Sequence, residues 1–239
     1  MINMIDETDM SQEHKWYYEV RSKTVIKHLQ KRQMNGQYAP SRTEALAAVM
    51  EMIRPGATVA RGDSVSVDQV GVMEEIKKRN QNKIINPLER DASGNFAYDS
   101  HERHRLEREA FFADVFISST NAITLDGKLV SIDGHGNRVA AMICGPNKVI
   151  FVVGANKIVQ DVDEALARVH NVATPLNSMR HSIKHNFPNI GELPCIKTGY
   201  CVDCSHPESP CRYTVIIAGS DIMNHGRINV VLVGEELGI

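Results

Sequence analysis

The sequence predicts an α/β fold with a mostly parallel central sheet flanked by helices, and three observations carry that prediction. Short apolar runs of strand length alternate along the chain with longer stretches of helical period. Val149-Ile-Phe-Val-Val153 is apolar without a break, which suits a central parallel strand covered on both faces. The runs at 213–217 and 227–233 have the same character. The runs at 114–118, 148–153, 213–217 and 227–233 are therefore expected to pair in one sheet.

Taken in order, residues 11–34 read as a helix with Trp16, Tyr17, Val20, Val25, Ile26 and Leu29 as its apolar stripe. Its six lysines and arginines, from Lys15 to Arg32, read as a solvated face. Gly36 and Pro40 break the pattern, so residues 1–40 are expected as an N-terminal helical arm on a domain of residues 41–239. Ser41-Arg-Thr-Glu44 is a capping box that opens a helix to residue 53, and Pro55-Gly56 stops it. Strand 58–60 runs into Arg61-Gly-Asp-Ser64, followed by a helix at 70–79 and a short strand at 84–85. A charged helix covers 101–112, a half-buried strand covers 128–132, and a helix is expected at 157–169. Thr174-Pro175 reads as an N-cap with proline at the first helical position, opening a helix to residue 186.

Bulk properties exclude several classes. Hydrophobic residues make up 42% and charged residues 23% of the chain, and net charge is −2, so no basic excess marks a nucleic-acid binder. The longest apolar run is too short to span a bilayer. Neither a basic n-region nor an apolar h-region follows Met1, so the expected location is cytoplasmic.

Four of the five cysteines, Cys195, Cys201, Cys204 and Cys211, fall within a segment at 194–212 with spacing C-x5-C-x2-C-x6-C. Pro194, Gly199, Pro207 and Pro210 make that segment read as a loop. Thiolates on a loop can converge on one soft metal centre, either zinc or an iron–sulfur cluster, and His206 could replace one of them. The alternative is four reduced thiols with no metal. Cys144 lies in an apolar stretch and reads as a small buried hydrophobe.

Sheets of this class bind ligands outside the carboxyl ends of their strands, which singles out the loops after Ala60, Ser118, Val153 and Ile217. Candidate ligand-binding residues are Gly62, Asp63 and Ser64 in the first, and Thr120, Asn121, Asp133, Gly134, Asn137 and Arg138 in the second. Gly154, Asn156 and Lys157 form the third group. Arg138 is the first candidate for anion recognition, or else a clamp on Asp133 or Asp126. No familiar nucleophile, P-loop, zinc-protease or dinucleotide motif is present, and no catalytic residue is assigned.

The block from Asn121-Ala-Ile-Thr-Leu-Asp-Gly to Gly-Asn-Arg138, followed by Gly145-Pro-Asn-Lys to Asn-Lys-Ile-Val159, resembles the lactate-utilization (LUD) domain family. The Gly62-Asp-Ser64 turn fits the family's earlier glycine–serine turn, and Thr198-Gly-Tyr-Cys-Val-Asp-Cys204 resembles its cysteine-bearing subgroup. The likeness spans residues 14–235. It implies a fold similar to glucosamine-6-phosphate deaminase, ribose-5-phosphate isomerase and CoA transferases. It also implies an accessory or redox role in lactate-type oxidation with iron–sulfur electron-transfer partners, which puts an iron–sulfur cluster ahead of zinc. Two alternatives stand beside it: an isomerase- or transferase-like enzyme acting on a small phosphorylated or carboxylated metabolite, and a ligand-binding regulator. A small anionic metabolite is the expected ligand, and whether the chain catalyses a reaction stays open.

Overall fold

Six parallel strands form the central layer of the computed structural model, which describes residues 7–185 and 189–239. Their order is β1 (Asn35–Ala39), β10 (Ile228–Val233), β7 (Lys148–Gly154), β4 (Val115–Ser118), β2 (Thr58–Arg61) and β3 (Lys83–Ile85). β7 and β10 are buried along almost their whole length, as their unbroken apolar runs require. One core packs α1 (Ser11–Lys31) through Val25 and Leu29 against Phe116, Val149, Phe151 and Val230. The other packs α2 (Arg42–Glu51), α3 (Val65–Val70) and α4 (Val72–Arg79) against Val59, Ile117, Ile150 and Val231. Ser41 caps α2, accepting the Glu44 N–H at 3.3 Å and donating to its carboxylate at 2.7 Å.

Four short strands build a second sheet in the order β8 (Ile158–Val159), β5 (Ala122–Thr124), β6 (Leu129–Asp133) and β9 (Tyr213–Ile217). α6 (Asn137–Ile143) and α7 (Val162–Arg168) pack against it, and α8 (Thr174–His185) follows. A charged helix, α5 (Ser100–Glu109), precedes β4, and a short one, α9 (Pro194–Thr198), follows α8.

Several expectations are corrected. The run at 213–217 does not join the central sheet. The Arg212 N–H donates to Asp133 O at 3.1 Å and starts an antiparallel ladder with β6, so β9 becomes an edge strand. Its outer side chains stay in water, Tyr213 being 52% and Ile216 43% exposed. The loop after Ile217 therefore leaves the carboxyl edge and lines a groove beside the starts of β7 and β10.

The helix expected at 157–169 begins only at Val162. Ala155–Lys157 is a 3-10 turn, and the β-branched pair Ile158–Val159 pairs with β5. The helix expected at 70–79 forms as α4 from Val72, and a further helix, α3, stands before it, parted from it by Gly71 at φ 79°. Thr174 is no N-cap: its φ −67°, ψ −50° is helical, and a π-turn at Val169–Ala173 leads straight into α8. A widened turn suits Pro175, which lacks an N–H and crowds the carbonyl four residues back. The end of that helix at residue 186 lies outside the described residues.

Residues 35–39, within the expected helical arm, are strand β1 at the edge of the central sheet. Cys144 is exposed rather than buried. It follows the last turn of α6, whose end carbonyls at Ala141 and Met142 are capped by Arg227.

Candidate functional site

Parallel strands point their carboxyl ends one way, so the turns after β2, β4 and β7 meet at one edge. Gly62 permits a close approach there: a Cβ would stand 2.9 Å from both Arg138 Cγ and Ser118 Oγ. Ser64 caps α3 by accepting the Val67 N–H at 3.3 Å. Between them, Asp63 is ion-paired to Arg180 of α8, with His181 Nε2 3.6 Å away. Burial alone would raise the Asp63 carboxyl; the hydrogen bond from His181 and the Arg180 guanidinium outweigh it and hold it well below the carboxylate range.

Lys157, only 4% exposed, reaches from the turn after β7 into the middle of this edge. It donates to Ser66 Oγ at 3.0 Å, Ser119 Oγ at 3.2 Å and Thr120 O at 3.4 Å. All three partners are neutral oxygens. Burial, then the charges of Arg168 and Arg138, push its pKa down to about 7. Gly154 and Asn156 hold the chain that covers it. Asn156 Oδ1 accepts the Leu237 N–H at 3.1 Å, and a Cβ on Gly154 would stand 2.5 Å from that same nitrogen.

Arg138 is turned inward. It donates to Ser119 O at 3.0 Å, Asn121 Oδ1 at 3.1 Å and Ile132 O at 2.9 Å, with Asp133 Oδ2 3.6 Å from its Nε. Asp126 pairs instead with Arg32 and Lys128. Asn121 also accepts the Ile132 N–H, while its carbonyl accepts from Arg168 at 2.7 Å. Thr120 hydrogen-bonds Val130 O at 2.8 Å and Ser131 Oγ at 3.1 Å. Asp133 accepts the backbone N–H groups of His135, Gly136 and Val139. These contacts give Arg138 the geometry of a clamp on Asp133.

A second locus lies at the cysteines. All four line one cavity of about 60 Å³, together with His170 and Thr174. Cys195 is buried on α9, so this part of the expected loop is helical. The Cys201 sulfur lies 3.4 Å from His170 Nδ1 and accepts the Asp203 N–H at 3.3 Å. Asp203 takes φ 52°, the left-handed region. Cys211 donates to Thr174 Oγ1 at 3.5 Å. Burial raises the Cys195 and Cys211 thiols, and the neighbouring sulfurs raise them further, so the four groups sense one another. Among the described residues, no three or more Cys, His, Asp or Glu stand ready-made around a single ion.

The LUD domain family matches residues 22–233. The chain belongs to the LUD domain family. That makes it a lactate-utilization-related protein. Among solved structures, it is similar to a crystal structure of a DUF162 family protein from Deinococcus radiodurans at 1.70 Å resolution. Identity there is 14%, coverage is 92% of this chain and 97% of that one, and the TM-score is 0.49. It also matches eIF2B delta from Chaetomium thermophilum at 14% identity, over 69% of this chain and 62% of that one, with a TM-score of 0.32. No curated protein matches the chain. Among the described residues, no helix is long and apolar enough to cross a membrane.

In this LUD domain the sequence-derived candidates fall into three groups. Gly62, Arg138, Asn121, Asp133 and Thr120 interlock in one network. Gly154, Asn156 and Lys157 form the floor beside it, and Asp63 faces α8. Gly134 lies away from the floor, where a Cβ would stand 3.2 Å from Pro210 Cα on the cysteine segment. Asn137 opens α6. Sequence reasoning missed Ser66, Ser119, Arg168, Arg180, His181 and His170. The two arginines and His181 sit on α7 and α8, outside the strand-end loops, so only the fold could bring them in. His206 does not line the thiol cavity; its Nδ1 accepts the Glu208 N–H at 3.2 Å, and His170 lies at the thiols instead.

Proposed function

We propose that this LUD domain is a redox component of lactate-type oxidation. Cys195, Cys201, Cys204 and Cys211 would hold an iron–sulfur cluster, and the strand-end cleft would hold a small carboxylate. The observation that carries the reading is the gathering of all four thiols, distant from one another in sequence by up to sixteen residues, on one cavity. Thiolate sulfur is the donor such a cluster takes. A cluster also spaces its ligands more widely than one zinc ion does, because metal and sulfide atoms lie between them.

When bound, the cluster supplies one-electron transfer. The protein's part is to hold it near the surface: Cys201, Cys204 and Cys211 are half-buried, within reach of an iron–sulfur electron-transfer partner. At the strand ends, Lys157, Arg138 and Arg168 concentrate positive charge with only neutral oxygens on the lysine, which favours a small anion.

The test is anaerobic purification followed by iron, acid-labile sulfide and zinc analysis and a visible spectrum. Iron with sulfide and broad visible absorbance, all lost in Cys204→Ser, is the expected result. Zinc alone would keep a structural metal site and remove the redox role. Protein with neither metal, and four freely titrating thiols in an ordered segment, overturns the reading.

A further inference from the structure

We propose that His170 is a positioning residue of the thiol centre: its Nδ1–H donates to Cys201 Sγ and sets how readily the centre accepts an electron. The inference rests on the cluster reading above and adds to it a residue outside the cysteine segment.

The geometry begins in the backbone. The π-turn at Val169–Ala173 adds a residue to the helical turn, and both side chains it displays toward the thiol segment engage Cys201. Asn171 Oδ1 accepts the Cys201 N–H at 3.2 Å, which fixes the cysteine backbone. His170 Nδ1 lies 3.4 Å from the cysteine sulfur. π-turns are uncommon and concentrate at functional sites, because they aim side chains that a regular helix would turn away.

The Asp203 N–H meets the same sulfur at 3.3 Å, so two nitrogen groups converge on Cys201. Cys195 and Cys211 sit in a different setting, held by burial and a threonine hydroxyl. A metal-bound thiolate has no proton to give, so the imidazole facing it must be the Nδ1–H tautomer and the donor. N–H···S bonds stabilise the more negative, reduced form of a cluster, and donors beside the ligating sulfur are a recognised control on potential. Cys201 is thus the ligand at which the protein adjusts the centre, and His170 is the adjustable donor. The Asp203 amide is fixed by the backbone.

The experiment compares wild type, His170→Leu and His170→Asn, each purified anaerobically. Iron content, acid-labile sulfide and midpoint potential are read on all three. Leucine removes the donor, while the asparagine amide places a nitrogen close to where Nδ1 stands. The expected result is unchanged iron and sulfide in all three, a more negative potential in His170→Leu, and recovery of most of that shift in His170→Asn. An unchanged potential in His170→Leu overturns the inference and leaves the cluster reading intact. Loss of iron and sulfide in both variants also overturns it, by making His170 a ligand. Wild-type protein without iron overturns the cluster reading and this inference with it.

Discussion

The Asp63 carboxylate, in the turn after β2, is ion-paired to the Arg180 guanidinium of α8, joining two positions 117 residues apart. The pair ties the first Gly-Asp-Ser turn to the helix that also carries His181, and it closes one side of the candidate ligand site. Its acid is held below its ordinary pKa, so the ion pair stabilises the fold when the carboxylate is ionised in both states.

Asp63→Asn should therefore lower stability at neutral pH by about 1–2 kcal/mol, between the limits for exposed and buried pairs. The sign follows from the lowered pKa. The contribution is complete above the unfolded carboxylate value of about 3.9 and fades as pH falls toward the folded value. Urea unfolding of both proteins at pH 7, 5 and 3 should give a gap that is constant from 7 to 5 and narrower at 3. A gap that widens on acidification would count against the pair.

Lys157 has the opposite linkage. Its folded pKa of about 7 lies below the ordinary lysine value, so the unfolded chain binds more protons between those limits and stability rises with pH across them. Burying this ammonium costs most at or below pH 7, by a few kcal/mol at most (~5 as an upper bound). Lys157→Met should gain on wild type most at pH 6 and progressively less at pH 8 and 10. Denaturation midpoints at those three pH values check it; a gain that does not change with pH would refute it.

Gly154→Ala probes packing without backbone strain. The added Cβ would stand 2.4 Å from Asn156 Oδ1 and 2.5 Å from Leu237 N, so the Asn156–Leu237 hydrogen bond and the segment after β10 must shift. A loss of about 1–3 kcal/mol is expected. Thermal melting reads it, with Gly191→Ala as control, since a Cβ there meets only Ser182 Oγ, at an ordinary contact distance of 3.4 Å.

Arg138→Lys separates clamp from ligand contact. A lysine cannot reproduce the fork that spans Ser119 O, Asn121 Oδ1 and Ile132 O. The expected outcome is a fall in thermal stability of about 1–3 kcal/mol, because buried acceptors lose their donors. Unchanged stability with weakened binding of a small carboxylate such as lactate would give Arg138 the recognition role instead.

What the sequence made legible was local or strongly periodic. The Ser41–Glu44 capping box is a contact between residues three apart, and it forms as read. The unbroken apolar run of β7 could only be a doubly covered strand. The run at 213–217 has similar composition, yet it became an edge strand, because composition cannot say which partner a strand will find. Ile158 and Val159 lie where helical periodicity extended too far, and pairing with β5 decided against it. The four thiols were visible as a spacing, whereas His170 was not. It reaches Cys201 across 31 residues and through a π-turn, which leaves no periodic trace. Arg168, Ser66 and Ser119 were hidden for the same reason: they meet Lys157 and Asn121 only once separate strands stand side by side.

The strand order sets when this protein can finish folding. β10, made of residues 228–233, lies between β1 from residues 35–39 and β7 from residues 148–154. Until it arrives, β1 has no partner in the sheet and β7 presents one open edge along the most apolar run of the chain. With residues 228–233 not yet in place, β1 stands unpaired and β7 is held only by β4. Pairings of such high sequence separation form slowly, and an uncovered edge is a template for other chains. The central sheet closes only when β10 enters between β1 and β7.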